Sequence, residues 1–200
     1  LSGAGAGAGA DNTISNTIEA GVIGGSSVDA DGNAGIFATD SATVNATLAT
    51  AAISASIGGS SATVSLTAAV SVATNTVNDV VAAHVVDSSL TSGGSATIEA
   101  DSSKSITALQ VAVSVSISIG SGTATLAGAF GVAQVSNVIG GSTTAGIFDA
   151  DAGESQAATI GGPLTISATS AGIIHATLSG TVPYIQQQSS KNTTVSPTGL

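Results

Sequence analysis

The chain has no cysteine, methionine, tryptophan or arginine, and its 200 residues include only three phenylalanines and one tyrosine. The absence of cysteine excludes disulfide bonds and thiol chemistry. The scarcity of aromatic side chains excludes a wide core of normal density, because Ala, Val, Ile and Leu fill only a narrow gap between backbones. We therefore predict an elongated, sheet-based protein that is stabilised by backbone ladders and contacts between small aliphatic side chains.

Positive charge is equally scarce, because Lys104 and Lys191 are the only Lys or Arg residues beside twelve acidic ones, and the net charge is −10. A nucleic-acid surface needs clustered cations, so we predict no nucleic-acid partner. Attraction to an anionic membrane fails for the same reason. We also predict no membrane insertion, because no apolar run approaches the roughly 18–20 residues of a membrane-spanning helix. The acidic balance is compatible with an extracellular or cell-surface location.

The clearest pattern is the run from Val111 to Ile119, in which branched apolar residues alternate with Ala or Ser. Successive side chains of a strand point to opposite faces, so this run forms one apolar face and one small, mostly hydroxyl face. A helix would scatter the same valines around its circumference. Similar segments joined by Gly, Ser and Asp turns fill most of the chain, so we predict an all-β fold.

The segments recur with a period of roughly 60 residues, which is typical of solenoids and arrays. The sequence Asn75-Thr-Val repeats Asn12-Thr-Ile, and the segment from Ile53 to Gly58 returns as Val115 to Gly120. These matches predict a repeat-built, elongated β-solenoid, or β-helix-like body.

The predicted body covers residues 1–180, with approximate repeats near residues 10–72, 73–133 and 134–180. Residues 181–200 contain two of the three prolines and the only tyrosine, and we expect a divergent C-terminal arm or linker there. The alternative fold is a pilin-like β-sandwich that is completed by a donated strand.

A Gly-Ala alternation from Gly3 to Ala10 precedes Asn12-Thr-Ile-Ser-Asn-Thr-Ile-Glu-Ala20, a Gly/Asp turn and alternating Val and Ser. This combination resembles the β-strand repeats of giant bacterial surface proteins in the filamentous-haemagglutinin and adhesin-like group. The resemblance covers roughly residues 3 to 180. It implies a secreted, elongated body used for adhesion or extracellular structure. The chain departs from that group by being short, whereas those proteins carry many repeats.

An acidic loop is the best candidate for a binding site. Asp29, Asp31 and Asn33 place oxygen atoms at alternate positions around a glycine turn, where they could converge on one Ca²⁺. The complete calcium-loop pattern is missing, and Asp and Gly are also common in solvated turns. Calcium is the only cofactor that the sequence suggests. The segment from Asp149 to Glu154 is a shorter version of the same loop.

No catalytic constellation is visible, so we predict no catalytic residues and no enzyme. Asp40, Glu99 and Asp101 fall near corresponding repeat positions and could form a carboxylate ladder, as a polysaccharide-acting β-helix enzyme would need. The chain nearly lacks the cations and aromatic platforms that bind sugars. His84 and His175 lie in apolar contexts without a second ligand at metal-site spacing.

The function we expect is that of a structural subunit in an extracellular fibre, a homopolymer assembled head to tail. A solenoid fragment exposes an unpaired ladder at each end, and such ends recruit more of the same fold. The alternative is a stalk or binding module of a secreted adhesin, with a surface glycan or receptor as its partner. A polysaccharide-acting enzyme is the third interpretation.

Overall fold

The structure is a computed structural model, and it describes residues 1–58, 62–120, 124–148, 158–180 and 182–187. These residues form eleven strands and no helix. The strands are β1 (Ser2–Ile14), β2 (Thr17–Ile23), β3 (Ser27–Ala30), β4 (Ala34–Gly58), β5 (Ala62–Val86), β6 (Ser89–Ser92), β7 (Ala96–Gly120), β8 (Ala124–Phe148), β9 (Ala158–Ile160), β10 (Leu164–Gly180) and β11 (Val182–Gln187). The all-β prediction is confirmed.

The strands form three sheets, and every pairing between described strands is parallel. Sheet A contains β1, β2, β5, β8 and β11; sheet B contains β3, β6 and β9; sheet C contains β4, β7 and β10. The chain passes through sheets A, B and C in that order and then returns to sheet A. This path is compatible with a β-helix or solenoid. The antiparallel pairing of a pilin-like sandwich is not found in the described strands.

Segments that match in sequence lie side by side in the sheets. Asn12 of β1 pairs with Asn75 of β5, which pairs with Asn137 of β8. In sheet C, Ile53 of β4 lies opposite Val115 of β7. Equivalent side chains therefore form rows that run across the strands.

Four strands, β4, β5, β7 and β8, are each 25 residues long, which corresponds to about 80 Å. Sheets A and C contact each other along these strands, and the short strands of sheet B close one end. We call the part next to sheet B the proximal half and the remainder the distal half. The largest apolar core lies in the proximal half, where Val81, Leu90 and Ile98 are almost fully buried.

The polarity of the two faces reverses along β7. Even-numbered residues point into the molecule throughout this strand. In the proximal half they include Ile98, while Glu99 lies outside; in the distal half Ser116 points inward and Ile117 outward. The run from Val111 to Ile119 is thus a strand, as predicted, but its branched side chains lie on the outer surface. Gln110 is fully buried where the reversal occurs, and its amide has no hydrogen-bond partner among the described residues.

The predicted C-terminal arm begins with a paired strand. β11 runs parallel to β8 and covers it from Val132 to Asn137. Residues 188–200, the remainder of the arm, are outside the described part of the chain.

Candidate functional site

The unpaired strands at the two ends of the sheets are the candidate assembly site. We call the outer strands β1, β2, β3 and β4 the N-terminal edge, and among the described strands each of them has a neighbour on one side only. The C-terminal edge consists of β9, β10 and the part of β8 that β11 leaves uncovered. Each edge presents backbone N–H and C=O groups that another strand could pair with.

A row of asparagines crosses sheet A between these edges. The Asn12 Nδ2 donates to Asn75 Oδ1 at 2.8 Å, and the Asn75 Nδ2 donates to Asn137 Oδ1 at 2.8 Å. Asn75 and Asn137 are buried, and the Asn137 Nδ2 has no acceptor among the described residues. The backbone of Gln187 lies opposite Asn137 in β11.

The core is open at the N-terminal edge. A groove with a volume of about 390 Å³ lies between β1 and β4. Its lining consists of Asp11, Asn12, Thr13, Ile14, Thr43, Val44 and Asn45. Ile14 and Val44 belong to the apolar cluster around the fully buried Val77 and Ile106, so a further layer of strands would continue that cluster.

The break between β1 and β2 is fixed by a buried carboxylate. The Asn16 N–H donates to Asp79 Oδ1 at 2.7 Å, and the Asn16 carbonyl accepts from the Val80 N–H at 2.8 Å. Asp79 is fully buried. This contact satisfies the backbone where the edge strand is interrupted.

A buried polar cluster lies next to this break. Asp40 of β4, Asp79 of β5 and Lys104 of β7 all point into the gap between sheets A and C. The Lys104 Nζ donates to the carbonyl of Gly140 at 3.1 Å, and the Ser102 hydroxyl contacts Asp40 Oδ2 at 3.4 Å. Lys104 is the only lysine in the described residues, and its side chain is buried in the interior of the molecule.

Burial raises the pKa of Asp40 above its ordinary value, and the charge of Asp79 and a hydrogen bond to Asp79 raise it further. Lys104 and Ser102 act in the opposite direction, because they favour the charged form. When Asp40 is protonated, its carboxyl group can donate to Asp79 Oδ2, which has no other partner among the described residues.

Hydroxyl groups form the interior contacts of the distal half. The Ser54 Oγ lies 2.8 Å from the Ser2 Oγ and 2.7 Å from the Ser65 Oγ, and the Ser116 Oγ lies 2.9 Å from the Ser65 Oγ. Ser65 joins strands from both sheets. The gap here is lined by serine, threonine and alanine, and hydrogen bonds between hydroxyl groups cross it. Other hydroxyl groups in this gap have no partner among the described residues, namely Thr67 Oγ1, Ser71 Oγ and Ser114 Oγ.

Of the predicted calcium ligands, Asp29 lies within β3, and Asp31 and Asn33 lie in the exposed turn that follows it. Asp29 and Asp31 are exposed, and the Asn33 Oδ1 accepts a hydrogen bond from the Ser95 N–H at 2.9 Å. The described residues contain no group of three or more His, Cys, Asp or Glu that could hold a metal ion. Calcium binding by this turn stays a prediction. The second loop, from Asp149 to Glu154, lies outside the described residues.

The carboxylates considered for polysaccharide chemistry do not converge. Asp40 points into the core, and its neighbour in the sheet is Ser102, whereas Asp101 pairs with Thr39 and points outward. Glu99 is also on the outer side of β7. A strand places neighbouring residues on opposite faces, so Asp40 and Asp101 cannot line one ladder.

The two histidines are not brought together. The His84 Nε2 lies 2.8 Å from Glu19 Oε1, and its ring meets Phe148 edge-on at a centroid distance of 6.5 Å. His175 is exposed on the outer side of β10.

Sequence reasoning missed the cluster of Asp40, Asp79 and Lys104, although a signal for it exists. Lys104 has the same parity as Ile98 and Ile106, the apolar residues of the inner face. The alternation of a strand therefore assigns Lys104 to the interior. The sequence does not reveal that Asp79 lies across the gap.

Comparison with protein-family models finds no match, and comparisons with curated proteins and with solved structures find none either. Within the described ranges, there is no helix whose length and apolar character would let it cross a membrane.

Proposed function

We propose that the chain is a β-solenoid with a structural role in an extracellular fibre, in which coils of successive copies stack end to end. The observation that carries the proposal is the N-terminal edge, four consecutive strands that have no outer partner among the described residues. Its inner side presents Asn12, and at the other end of the same row the Asn137 Nδ2 has no acceptor within the described part of the chain. The row could continue if Asn12 of one copy accepted a hydrogen bond from Asn137 of the next, so it favours contact between unlike ends.

Stacking of unlike ends is a heterologous contact, which does not close and yields a filament. The ladder already repeats within the chain, so a second copy would use the same parallel pairing that joins β1 to β5. It would also cover the open groove between Ile14 and Val44. Backbone pairing and burial of small apolar side chains both support association.

β11 modifies this contact because it occupies the sheet A part of the C-terminal edge. It covers β8 from Val132 to Asn137, while the outer sides of β9 and β10 have no described partner. A second copy can join sheets B and C directly, but it must displace β11 to pair with sheet A. In this arrangement the C-terminal arm restrains assembly.

The proposal is tested by placing one positive charge on either face of β1. Ala6 is half-buried on the inner side, where a stacked copy would cover it, and Gly7 is exposed on the outer side. We expect Ala6→Lys to abolish concentration-dependent light scattering, since an inward charge at an edge blocks strand addition. The matched variant Gly7→Lys should assemble like the parent chain, because a side chain at this position meets only a carbonyl oxygen at 3.9 Å. Equal light scattering by the two variants would show that the N-terminal edge does not take part in assembly.

The second candidate function is a stalk within a larger adhesin. It is favoured by β11, which starts a further layer on sheet A in register with the preceding strands. A stalk extends by adding coils of its own chain, and its fragments remain discrete rods at all concentrations. A surface glycan or receptor would then be bound elsewhere on such a protein.

A further inference from the structure

We propose that the outer face of sheet C in the distal half is an interface with a second copy of the chain. This face, which we call the distal patch, consists of the outward side chains of β4 from residue 49 to 57 and of β7 from residue 109 to 119. It lies on the side of the molecule, so it is separate from the edges that end-to-end stacking would use. The contact does not depend on the proposed fibre.

The distal patch is too apolar to remain in water without a partner. Seven of its large side chains are between 40% and 83% exposed, namely Ile53, Ile57, Leu109, Val113, Val115, Ile117 and Ile119. Val111 is half-buried. Burial of each of the seven removes on average roughly 70 Å² from water, which gives about 500 Å² for the patch. Two copies would then bury about 1,000 Å², the lower bound for a specific interface. Monomeric proteins rarely expose a contiguous apolar patch larger than a few hundred Å².

The distribution of charge indicates how the second copy is placed. Residues 41–78 and 105–148 contain no Asp, Glu, Lys or Arg, although the chain carries a net charge of −10. Glu99 and Asp101 lie on the same outer face of sheet C, but in the proximal half. Two copies with parallel strands would bring these acids together, whereas a two-fold axis that lies in the interface and runs across the strands makes the strands antiparallel and points the acids away from each other.

The surface shape of the distal patch is compatible with packing against a second copy that is related by a two-fold axis. Every outward residue of β7 from 109 to 119 is Leu, Val or Ile, and these side chains form a ridge. The neighbouring row on β4 contains Ala49, Ala51 and Ala55, opposite Val111, Val113 and Ile117 in the sheet. A two-fold axis across the strands lays β7 of one copy over β7 of the other, so that the two ridges interdigitate along their length and the alanine rows of β4 face each other. Sheets that pack face to face interdigitate in this way.

A lipid bilayer is a poorer partner for the same surface. No strand of the described ranges lies on the outer side of β4. In the described residues, β7 has no second neighbour beyond Ala112, where its pairing with β10 ends. Unpaired backbone groups cannot be satisfied in hydrocarbon, but between two copies in water they stay hydrated.

A cysteine scan of the full chain tests the contact directly, because the parent sequence contains no cysteine. Single variants Val111→Cys, Val113→Cys, Val115→Cys and Ile117→Cys would each carry the only thiol of the chain. We expect the position nearest the two-fold axis to be linked into a dimer by a bis-maleimide with a short spacer, because facing residues of packed sheets lie about 10 Å apart, beyond the reach of a disulfide but within that of the spacer. End-to-end stacking places the thiols of two copies about 14 Å apart, the height of three layers of strands, which the short spacer does not bridge. Absence of a cross-linked dimer at all four positions would overturn the proposal.

A substitution pair provides the second measurement. The triple variant Val113→Thr/Val115→Thr/Ile117→Thr keeps branched, strand-forming residues but makes the ridge polar, and we expect it to weaken dimerisation in sedimentation equilibrium by roughly tenfold or more. The matched control Val70→Thr/Val72→Thr changes the outer face of sheet A and should dimerise like the parent chain. Equal weakening by the control would contradict the assignment. Flotation of the parent chain, but not of the triple variant, with phosphatidylcholine vesicles would replace the second copy by a lipid surface and also overturn it.

Discussion

The proximal and distal halves of the long strands have the same alternating pattern but opposite polarity. In the proximal half, Val81 and Ile98 point inward and the acids of β7 point outward. In the distal half, Ser65 and Ser116 line the interior while Ile117 lies outside. The alternation of apolar and polar side chains therefore determines that a segment is a strand with two different faces. The width of the gap between sheets A and C determines which of these faces is buried. A narrow gap accepts serine and alanine and leaves the branched side chains on the surface.

The largest difference between the halves should appear when one isoleucine is truncated in each. Ile98 is fully buried, whereas Ile117 is 46% exposed on the same strand. We expect Ile98→Ala to lower the free energy of unfolding by about 3 kcal/mol, because it leaves a cavity in the core. The matched Ile117→Ala should cost less than about 1 kcal/mol. Urea unfolding at a concentration where the chain is monomeric measures both, and similar costs would mean that the distal ridge is buried within the monomer.

The asparagine row marks the boundary between the halves, and its loss should have the next largest effect. Asn75→Ala removes the middle member and leaves the amides of Asn12 and Asn137 without their partner, at a cost of about 2 kcal/mol. Asn78→Ala, on the exposed side of β5, should change stability by less than about 0.5 kcal/mol. Equal midpoints of chemical unfolding for the two variants would show that the row does not stabilise the fold.

The serine contacts of the distal half should contribute less than the asparagine row. Ser65→Ala deletes the hydroxyl that joins Ser54 to Ser116, and we expect a loss of about 1 kcal/mol. Hydrogen exchange followed by mass spectrometry should show faster exchange in the distal strands and unchanged exchange near sheet B. Ser103→Ala, at an exposed position of β7, is the control. Unchanged distal exchange in the Ser65 variant would indicate that packing of alanine alone holds this half together.

The smallest effect concerns the acid pair of the proximal half. Because burial and Asp79 raise the pKa of Asp40, the folded state binds a proton there more tightly than the unfolded chain does. The corresponding stability is fully present below the ordinary Asp pKa of 3.8 and is lost as the pH rises through the raised value. Asp40→Asn should remove this part of the decline in stability with pH.

Ser102→Ala sharpens the same prediction. The Ser102 hydroxyl favours the charged form of Asp40, so its removal should move the loss of stability to higher pH. Thermal unfolding of both variants across the acidic range measures these changes. Identical pH profiles for Asp40→Asn and the parent chain would exclude Asp40 as the titrating group.

The sequence was sufficient for the strands, because a strand depends on the local alternation of its side chains. Asn12, Asn75 and Asn137, which follow similar sequence patterns, lie in register in sheet A. Two features could not be predicted from the sequence. The outward facing of Val113 depends on the distance between two sheets, and the approach of Asp40 to Asp79 depends on how those sheets are offset. Both are tertiary properties that no periodicity within one strand encodes.

Electron microscopy of two chains over a range of concentrations tests most directly whether coils of separate copies stack at their edges. One chain is the full sequence, and the other ends at Gly180 and lacks β11. We predict uniform filaments for both, at lower concentration for the shorter chain because its sheet A edge is free, with an axial rise of about 14 Å per copy. Discrete rods of constant length from both chains at every concentration would contradict end-to-end assembly and favour a stalk.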